Sequence, residues 1–320
     1  MNEVAVIIPA YNAERTIASS ISSILASTIP VDVIVVDDGS TDCTGKIADE
    51  YAEKSPRVKV VHQLNAGAYS ARLTGVEKCD AKYLAFVDAD DMVEPGMYEE
   101  MLEFAKLHDL DIVQCECVGS RRLADGDELF MTRQEVLEKV VRPRLVMGRD
   151  AVSVWDKLYR RSVLRLPFEQ SDIMMFEDLA FNLQAFLFVQ KVGYLRRGLY
   201  RYNVNAGSSV RNFKMKNVSD LKEAIRFRDL FIPKYEMSVP DGAFDDWICR
   251  NVLNMWKVAC TAPIRDGVPR NDKIRALLDL PEVSRAFVDT GRGGQLRAMH
   301  NPVVVGAIGL VRKLKGLLGR

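Results

Sequence analysis

Three aspartates fall within four positions of Phe86-Val87-Asp88-Ala89-Asp90-Asp91, at the end of an apolar run from Tyr83 to Val87. In an extended chain successive side chains alternate, so Asp88 and Asp90 share a side while Ala89 points away. Two carboxylates on one side repel unless a proton or a cation relieves them. Hard cations such as Mg²⁺ prefer oxygen and commonly take one or two carboxylates plus phosphate oxygens. An acidic solvated turn is the other reading of these six residues. A second acidic pair, Glu177-Asp178, opens an apolar segment through Leu179, Phe181, Leu183, Phe186 and Leu187. Acids favour helix N-termini whatever their function, and by itself the pair reads first as such a helix start. No Ser-His or Cys-His arrangement offers a covalent nucleophile.

The elements that must position these residues alternate over the first 115 positions. Val4 to Pro9, Val31 to Val36, Val58 to Val61, Tyr83 to Val87 and Asp111 to Val113 are short and β-rich. Between them, Ile17, Ile21, Ile24 and Leu25 recur at helical spacing, as do Ile47, Ala48 and Tyr51, and Met97 to Leu107 reads as a third helix. Strands alternating with helices predict right-handed βαβ units in a doubly wound α/β sheet. Such sheets bind ligands beyond the carboxyl ends of their strands. Four polar clusters fall on that rim: Tyr11-Asn12, Asp37-Asp38-Gly39-Ser40, Asn65-Ala66-Gly67 and Asp88 to Asp91. Beyond residue 118 helices are expected over Arg133 to Met147, Leu179 to Val189, Leu221 to Phe231, Phe244 to Cys260 and Lys273 to Leu278. Tyr194 to Tyr202 reads as a strand, and Gly291-Arg292-Gly293-Gly294 as a flexible break.

With these clusters in order, the chain resembles the family 2 inverting glycosyltransferases. The resemblance runs through Val6-Ile7-Ile8-Pro9-Ala10-Tyr11-Asn12, Val35-Val36-Asp37-Asp38-Gly39-Ser40-Thr41-Asp42, Asn65-Ala66-Gly67 and Ala71-Arg72. It continues with the acidic hexapeptide, Trp155-Asp156-Lys157-Leu158-Tyr159-Arg160-Arg161 and Phe176-Glu177-Asp178. It implies the GT-A fold, a doubly wound mixed sheet, with residues 1–115 as a nucleotide-sugar-binding half and 116–212 as an acceptor-binding half. Residues 213–320 then form a helical C-terminal extension.

The implied reaction is transfer from a nucleotide-diphosphate sugar, most often a UDP-sugar, to a hydroxyl of a glycan or polyprenyl-linked acceptor. The implied setting is cell-surface polysaccharide synthesis, and the implied cofactor is a divalent cation, Mn²⁺ or Mg²⁺. By the same resemblance Pro9, Tyr11, Asp38 and Asp88 meet the nucleotide, Tyr11 by laying its ring on the base. Arg72 offers charge-assisted bonds to nucleotide or phosphate. Asp90 holds the metal, Asp91 supports it or the sugar, and Asp178 is the base with Glu177 orienting the acceptor. Trp155 and Lys157 form a wall of the sugar or acceptor site. Arg201, with Ser208, belongs to a loop closing over the diphosphate or to an ordinary strand-to-loop segment. The family usually has Asn after the Arg72 position, whereas this chain has Leu73.

Composition narrows the field. Forty-four basic and forty-four acidic residues cancel, so no global field attracts nucleic acid. Six cysteines without a CxxC pair, and three scattered histidines, give neither a disulfide framework nor a zinc site. Met1 is followed by Glu3 and a strand-like run rather than a signal peptide, so a reduced, cytoplasmic protein is expected. No Gly-rich phosphate loop follows the first strand, which disfavours a pyrophosphorylase or a dinucleotide oxidoreductase. A non-catalytic module that binds a nucleotide sugar or a partner is the remaining alternative.

The tail carries its own signal. On a helical wheel Val303, Ala307, Leu310, Val311, Leu314, Leu317 and Leu318 share one arc, with Arg312, Lys313, Lys315 and Arg320 opposite. The uncharged run is too short to span a bilayer, which takes ~20 residues. A basic amphipathic helix of this kind lies in a membrane interface; docking on its own domain, or on a second subunit in a homo-oligomer, is the other reading. Deleting residues 303–320 is expected to move the protein from the membrane to the soluble fraction on fractionation, and an unchanged distribution would refute the interfacial helix.

Overall fold

The computed structural model describes residues 2–119, 128–146, 152–165, 167–203, 213–235, 237–239, 242–261, 267–301 and 305. Apart from Val305, the tail over 303–320 lies outside the described residues, as does Ser208. The first strands are β1 (Val4–Ala10), β2 (Asp32–Asp37), β3 (Val58–His62) and β4 (Tyr83–Phe86). They alternate with α1 (Ile17–Leu25), α2 (Thr44–Lys54) and α3 (Gly67–Glu77). After β4 come β5 (Met92–Val93), α4 (Met97–His108), β6 (Ile112–Cys117), β7 (Glu128–Met131), β8 (Lys157–Arg160), α6 (Glu177–Ala185) and β9 (Val192–Arg201). A short α5 (Arg133–Val136) sits between β7 and β8.

The strands form one sheet in the order β3-β2-β1-β4-β8-β6-β9-β5, with β7 also paired to β9. The β3-β2-β1-β4 block is parallel. The sheet becomes mixed where β8 runs antiparallel between β4 and β6.

Alternation splits the strand residues between two cores. Val4, Val6 and Ile8 of β1 join a core with Ile17, Ile21 and Ile24 of α1 and Met97 and Met101 of α4. Ala5 and Ile7 face the other way, toward Tyr69 and Leu73 of α3 and Phe181 and Leu183 of α6. That second core runs on without a break into α7 (Lys216–Phe231), α8 (Ala243–Thr261), α9 (Arg270–Leu278) and α10 (Pro281–Asp289). The C-terminal helices thus bury their apolar faces against the sheet domain as well as against each other.

Several sequence expectations shift in detail. The segment expected as one helix over Arg133 to Met147 is α-helical only for its first turn, then π-helical over Leu137–Val146. Pro143 lies inside it and lacks the N–H that regular i→i−4 bonding needs. The expected flexible break at Gly291 to Gly294 holds one turn, Gly291 at φ 70°, after which α11 (Gly293–His300) begins. The hexapeptide is not extended: the strand ends at Phe86, and the Asp91 amide donates to the Asp88 carbonyl at 3.0 Å, closing a tight turn. Strand alternation therefore does not set the directions of its aspartates.

Gly75 marks where α3 crosses β1 most closely, since a Cβ there would overlap the side chain of buried Ile7. Gly75→Ala gains helix propensity, but overpacking a rigid core costs about 1–3 kcal/mol. A lowered denaturation midpoint is expected in urea, and a raised midpoint would show that the helix shifts freely.

Candidate active site

The rim is built where the parallel strands end. The loops after β1 and β2 are laced together: the Asn12 amide donates to Ser40 Oγ at 3.0 Å, and the Thr41 amide to Asn12 Oδ1 at 2.8 Å. Tyr11 stands on this seam with half of its surface exposed, whereas Pro9 is buried within β1. Asp38 turns its carboxylate onto the N-terminus of α3. It accepts from the amides of Ala66 (2.9 Å) and Gly67 (2.8 Å) and from Gln63 Nε2 (2.7 Å). Three of its roughly four acceptor positions are therefore occupied. Its observed partners are the helix amides that a helix start leaves unpaired, rather than an open face awaiting a base N–H.

At the centre lies the buried guanidinium of Arg72, on the second turn of α3. Its Nη2 donates to Asp88 Oδ1 at 3.1 Å. Its Nη1 lies 3.0 Å from Asp178 Oδ1 and 3.7 Å from Glu177 Oε1. One cation thus gathers three carboxylates that the sequence separates by about ninety positions. The acids of the site thus surround Arg72.

Glu177 and Asp178 occupy the first turn of α6, as the sequence predicts. Both carboxyls are raised, first by burial. For Asp178 the Arg72 charge pulls the other way, and burial outweighs it. Each keeps a quarter of its side chain exposed. The residue before them, Phe176, sits in the left-handed region at φ 70°, a conformation that costs a bulky residue about 1–3 kcal/mol. Two contacts from the C-terminal helices hold it there. Buried Asp220 on α7 accepts from the amides of Met174 (3.2 Å) and Met175 (3.1 Å), and Trp247 on α8 packs on the Phe176 ring at 5.5 Å.

The acidic turn divides its labour. Asp88 is partly exposed beside Arg72, and Asp90 is half-buried. Asp91 is buried, accepting from Tyr200 Oη and the Asn203 amide, both at 2.7 Å. Burial, with the charges of Asp88 and Asp90 adding to it, pushes its carboxyl up to about 7. Asp91 therefore braces the turn against β9. Tyr200 Oη also accepts from the Asp88 amide (3.3 Å), and its ring stacks on Trp155 at 4.4 Å. Sequence inspection noticed Tyr200 only as part of a strand-to-loop segment. Its role arises from a pairing of positions more than a hundred residues apart.

Lys157 and Arg201 both meet protein partners. Lys157 is buried, its Nζ donating to Asp156 Oδ1 (2.6 Å) and the Ser153 carbonyl (2.5 Å), so it is an internal strut whose charge reaches Asp178. Arg201 ends β9 and pairs with Glu94. Trp155 is half-buried with one face on Tyr200.

The carboxyls of Glu177 and Asp178 bind protons more readily folded than unfolded, so stability falls as pH rises from about 4 through their raised folded values. Removing the compensating cation steepens that fall. Arg72→Met is expected to cost about 3 kcal/mol near pH 8, the low end for breaking a buried pair because the acids keep some solvent, and clearly less near pH 5. Equal losses in urea unfolding at both pH values would show that Arg72 does not compensate these charges.

Comparison with known proteins follows this geometry. Residues 5–165, half of the chain, match the sequence model described as Glycosyl transferase family 2. The glycosyltransferase EpsJ of Bacillus subtilis (strain 168) is 33% identical over 306 residues, covering 90% of this chain and 86% of that protein. The crystal structure of S. aureus TarS 1-349 in complex with UDP-GlcNAc superposes with a TM-score of 0.66 at 18% identity, over 93% of this chain and 90% of that one. The mannosyltransferase PcManGT from Pyrobaculum calidifontis, in complex with GDP-Man and Mn²⁺, gives a TM-score of 0.52 at 15% identity, over 96% and 87%. The sheet, its acidic turn and the sequence match agree: this chain is a glycosyltransferase of GT-A fold and belongs to glycosyl transferase family 2.

Proposed function

We propose that the protein transfers a sugar, with inversion, from a nucleoside-diphosphate sugar to a hydroxyl of a glycan or lipid-linked acceptor, using Asp178 as base. The observation that carries this reading is the Arg72 cluster. It holds a carboxylate of the donor rim, Asp88, and a raised, quarter-exposed carboxylate of the opposite wall, Asp178, on the same guanidinium. An inverting transfer needs that pairing of donor grip and base across one gap. The half-exposed Tyr11 ring beside the β2 loop is the platform for the base. UDP is the favoured nucleotide because TarS, similar over most of both chains, was crystallised with UDP-GlcNAc. The resemblance of this chain's motifs to polysaccharide-building enzymes supports a role in surface polysaccharide synthesis.

The acidic turn fits a divalent cation. Burial raises the Asp91 carboxyl and the charges of Asp88 and Asp90 add to it, a crowding of acids that a cation would relieve. Among the described residues no cluster of three or more His, Cys, Asp or Glu side chains forms a protein-only cage. That suits an ion held by one or two carboxylates and completed by phosphate oxygens. Asp90, with Asp88 beside it, would hold the ion, which when bound neutralises charge on the departing diphosphate.

The remaining chemistry belongs to the chain. The acceptor oxygen attacks the anomeric carbon as its proton passes to the Asp178 carboxylate. The bond from that carbon to the phosphate oxygen breaks, and the nucleoside diphosphate leaves. Arg72 keeps Asp178 ionised against the burial that raises it, and Trp155 with Tyr200 forms an aromatic wall near the acidic turn.

Asp178→Asn is expected to lower UDP release from UDP-sugar by about 10²–10⁴-fold, the usual worth of a positioned base, while donor binding by thermal shift is retained. For the unmodified chain kcat/KM should rise with pH along an acidic limb displaced above the ordinary aspartate range. Full turnover by Asp178→Asn, with loss only in Asp90→Ala, would remove Asp178 from the base role.

A further inference from the structure

Behind the base loop, α7 and α8 line a half-open cavity of about 150 Å³ that the reaction does not use. Arg228 of α7 lines it. This guanidinium is 1% exposed, yet among the described residues Nε, Nη1 and Nη2 have no hydrogen-bond partner. It lies 4.3 Å over the Trp247 ring and 5.1 Å from that of Phe244. The rings attract the cation through their faces, but they accept nothing from the N–H donors in the guanidinium plane. Buried donors left without acceptors are costly and rare. Asp229 and Asp245 also border the cavity, and neither forms an ion pair with Arg228 among the described residues; Arg285 brings a second cation to the same wall. Burial and then the neighbouring Arg250 lower the Arg228 pKa to about 9, against the opposite pull of Asp229.

We infer that this cavity binds an oxyanion, a phosphate or carboxylate, on the planar fork of Arg228. Such groups match a guanidinium in pairs of parallel hydrogen bonds, and the cavity has room for one. The ring beneath Arg228 is Trp247, the residue that packs on Phe176 immediately before Glu177 and Asp178. Occupancy therefore bears on the loop that presents the base. The anion is carried either by the acceptor or by a free small molecule.

The test titrates inorganic phosphate against chloride at constant ionic strength on the full chain, read by tryptophan fluorescence and thermal shift. Wild type is expected to show a saturable response that Arg228→Met lacks. Arg228→Met should fold well without phosphate, because it replaces an uncompensated buried charge by an apolar side chain. No response in wild type, or the same response in both chains, overturns the proposal. Should Arg228→Met fail to fold, equilibrium dialysis of labelled phosphate against wild type saturated with UDP decides: one retained site supports the proposal and none refutes it. Transfer assays then separate the sources. A raised KM in Arg228→Met for a phosphate-bearing acceptor, with kcat unchanged and a neutral acceptor unaffected, assigns the anion to the acceptor. An unchanged KM beside lost phosphate binding assigns it to a free molecule.

Discussion

The ion cluster around Arg72 joins three parts of the chain at one point of a core they already share. Asp88 follows β4, Glu177 and Asp178 begin α6, and the guanidinium comes from α3. In a partly buried setting each of these charges alone would be expensive, and the three acids together would take up protons. A single buried cation makes the arrangement tenable, and it does so only if all three elements stay in register. The donor side and the base side of the site are thereby held to one another through charge, not merely through packing.

Around that centre the protein uses its own hydrogen-bonding groups as a frame. Asp38 captures the start of α3 and so aims the helix that carries Arg72. Asp91 and Tyr200 tie the acidic turn to β9, and Tyr200 passes the constraint to Trp155. Asp220 and Trp247 hold the strained Phe176 in place from α7 and α8. The C-terminal helices share the core of the sheet domain and support the base directly, so they belong to the site's construction as much as the strands do.

The rim itself was legible because the rule behind it is local. Parallel strands end in loops, and the polar residues of this chain collect at those ends. The start of α6 was legible too, because acids before an apolar period mark a helix N-terminus. Less was readable where backbone chemistry departs from the common pattern. Pro143 sits inside a helix that periodicity alone draws as regular, and α11 begins in a stretch whose glycines look like a break.

Residue types and their order thus determined the family, the mixed α/β sheet and the set of side chains that meet at its edge. What each side chain faces was decided by the tertiary structure. Arg72, Asp91 and Lys157 read as ligand contacts in the sequence, yet the fold buries them against protein partners. Charge and position along the chain do not encode burial or distant partners. A buried charge must find its counter-charge within a few ångströms, and only the packed chain shows which of forty-four acids stands there.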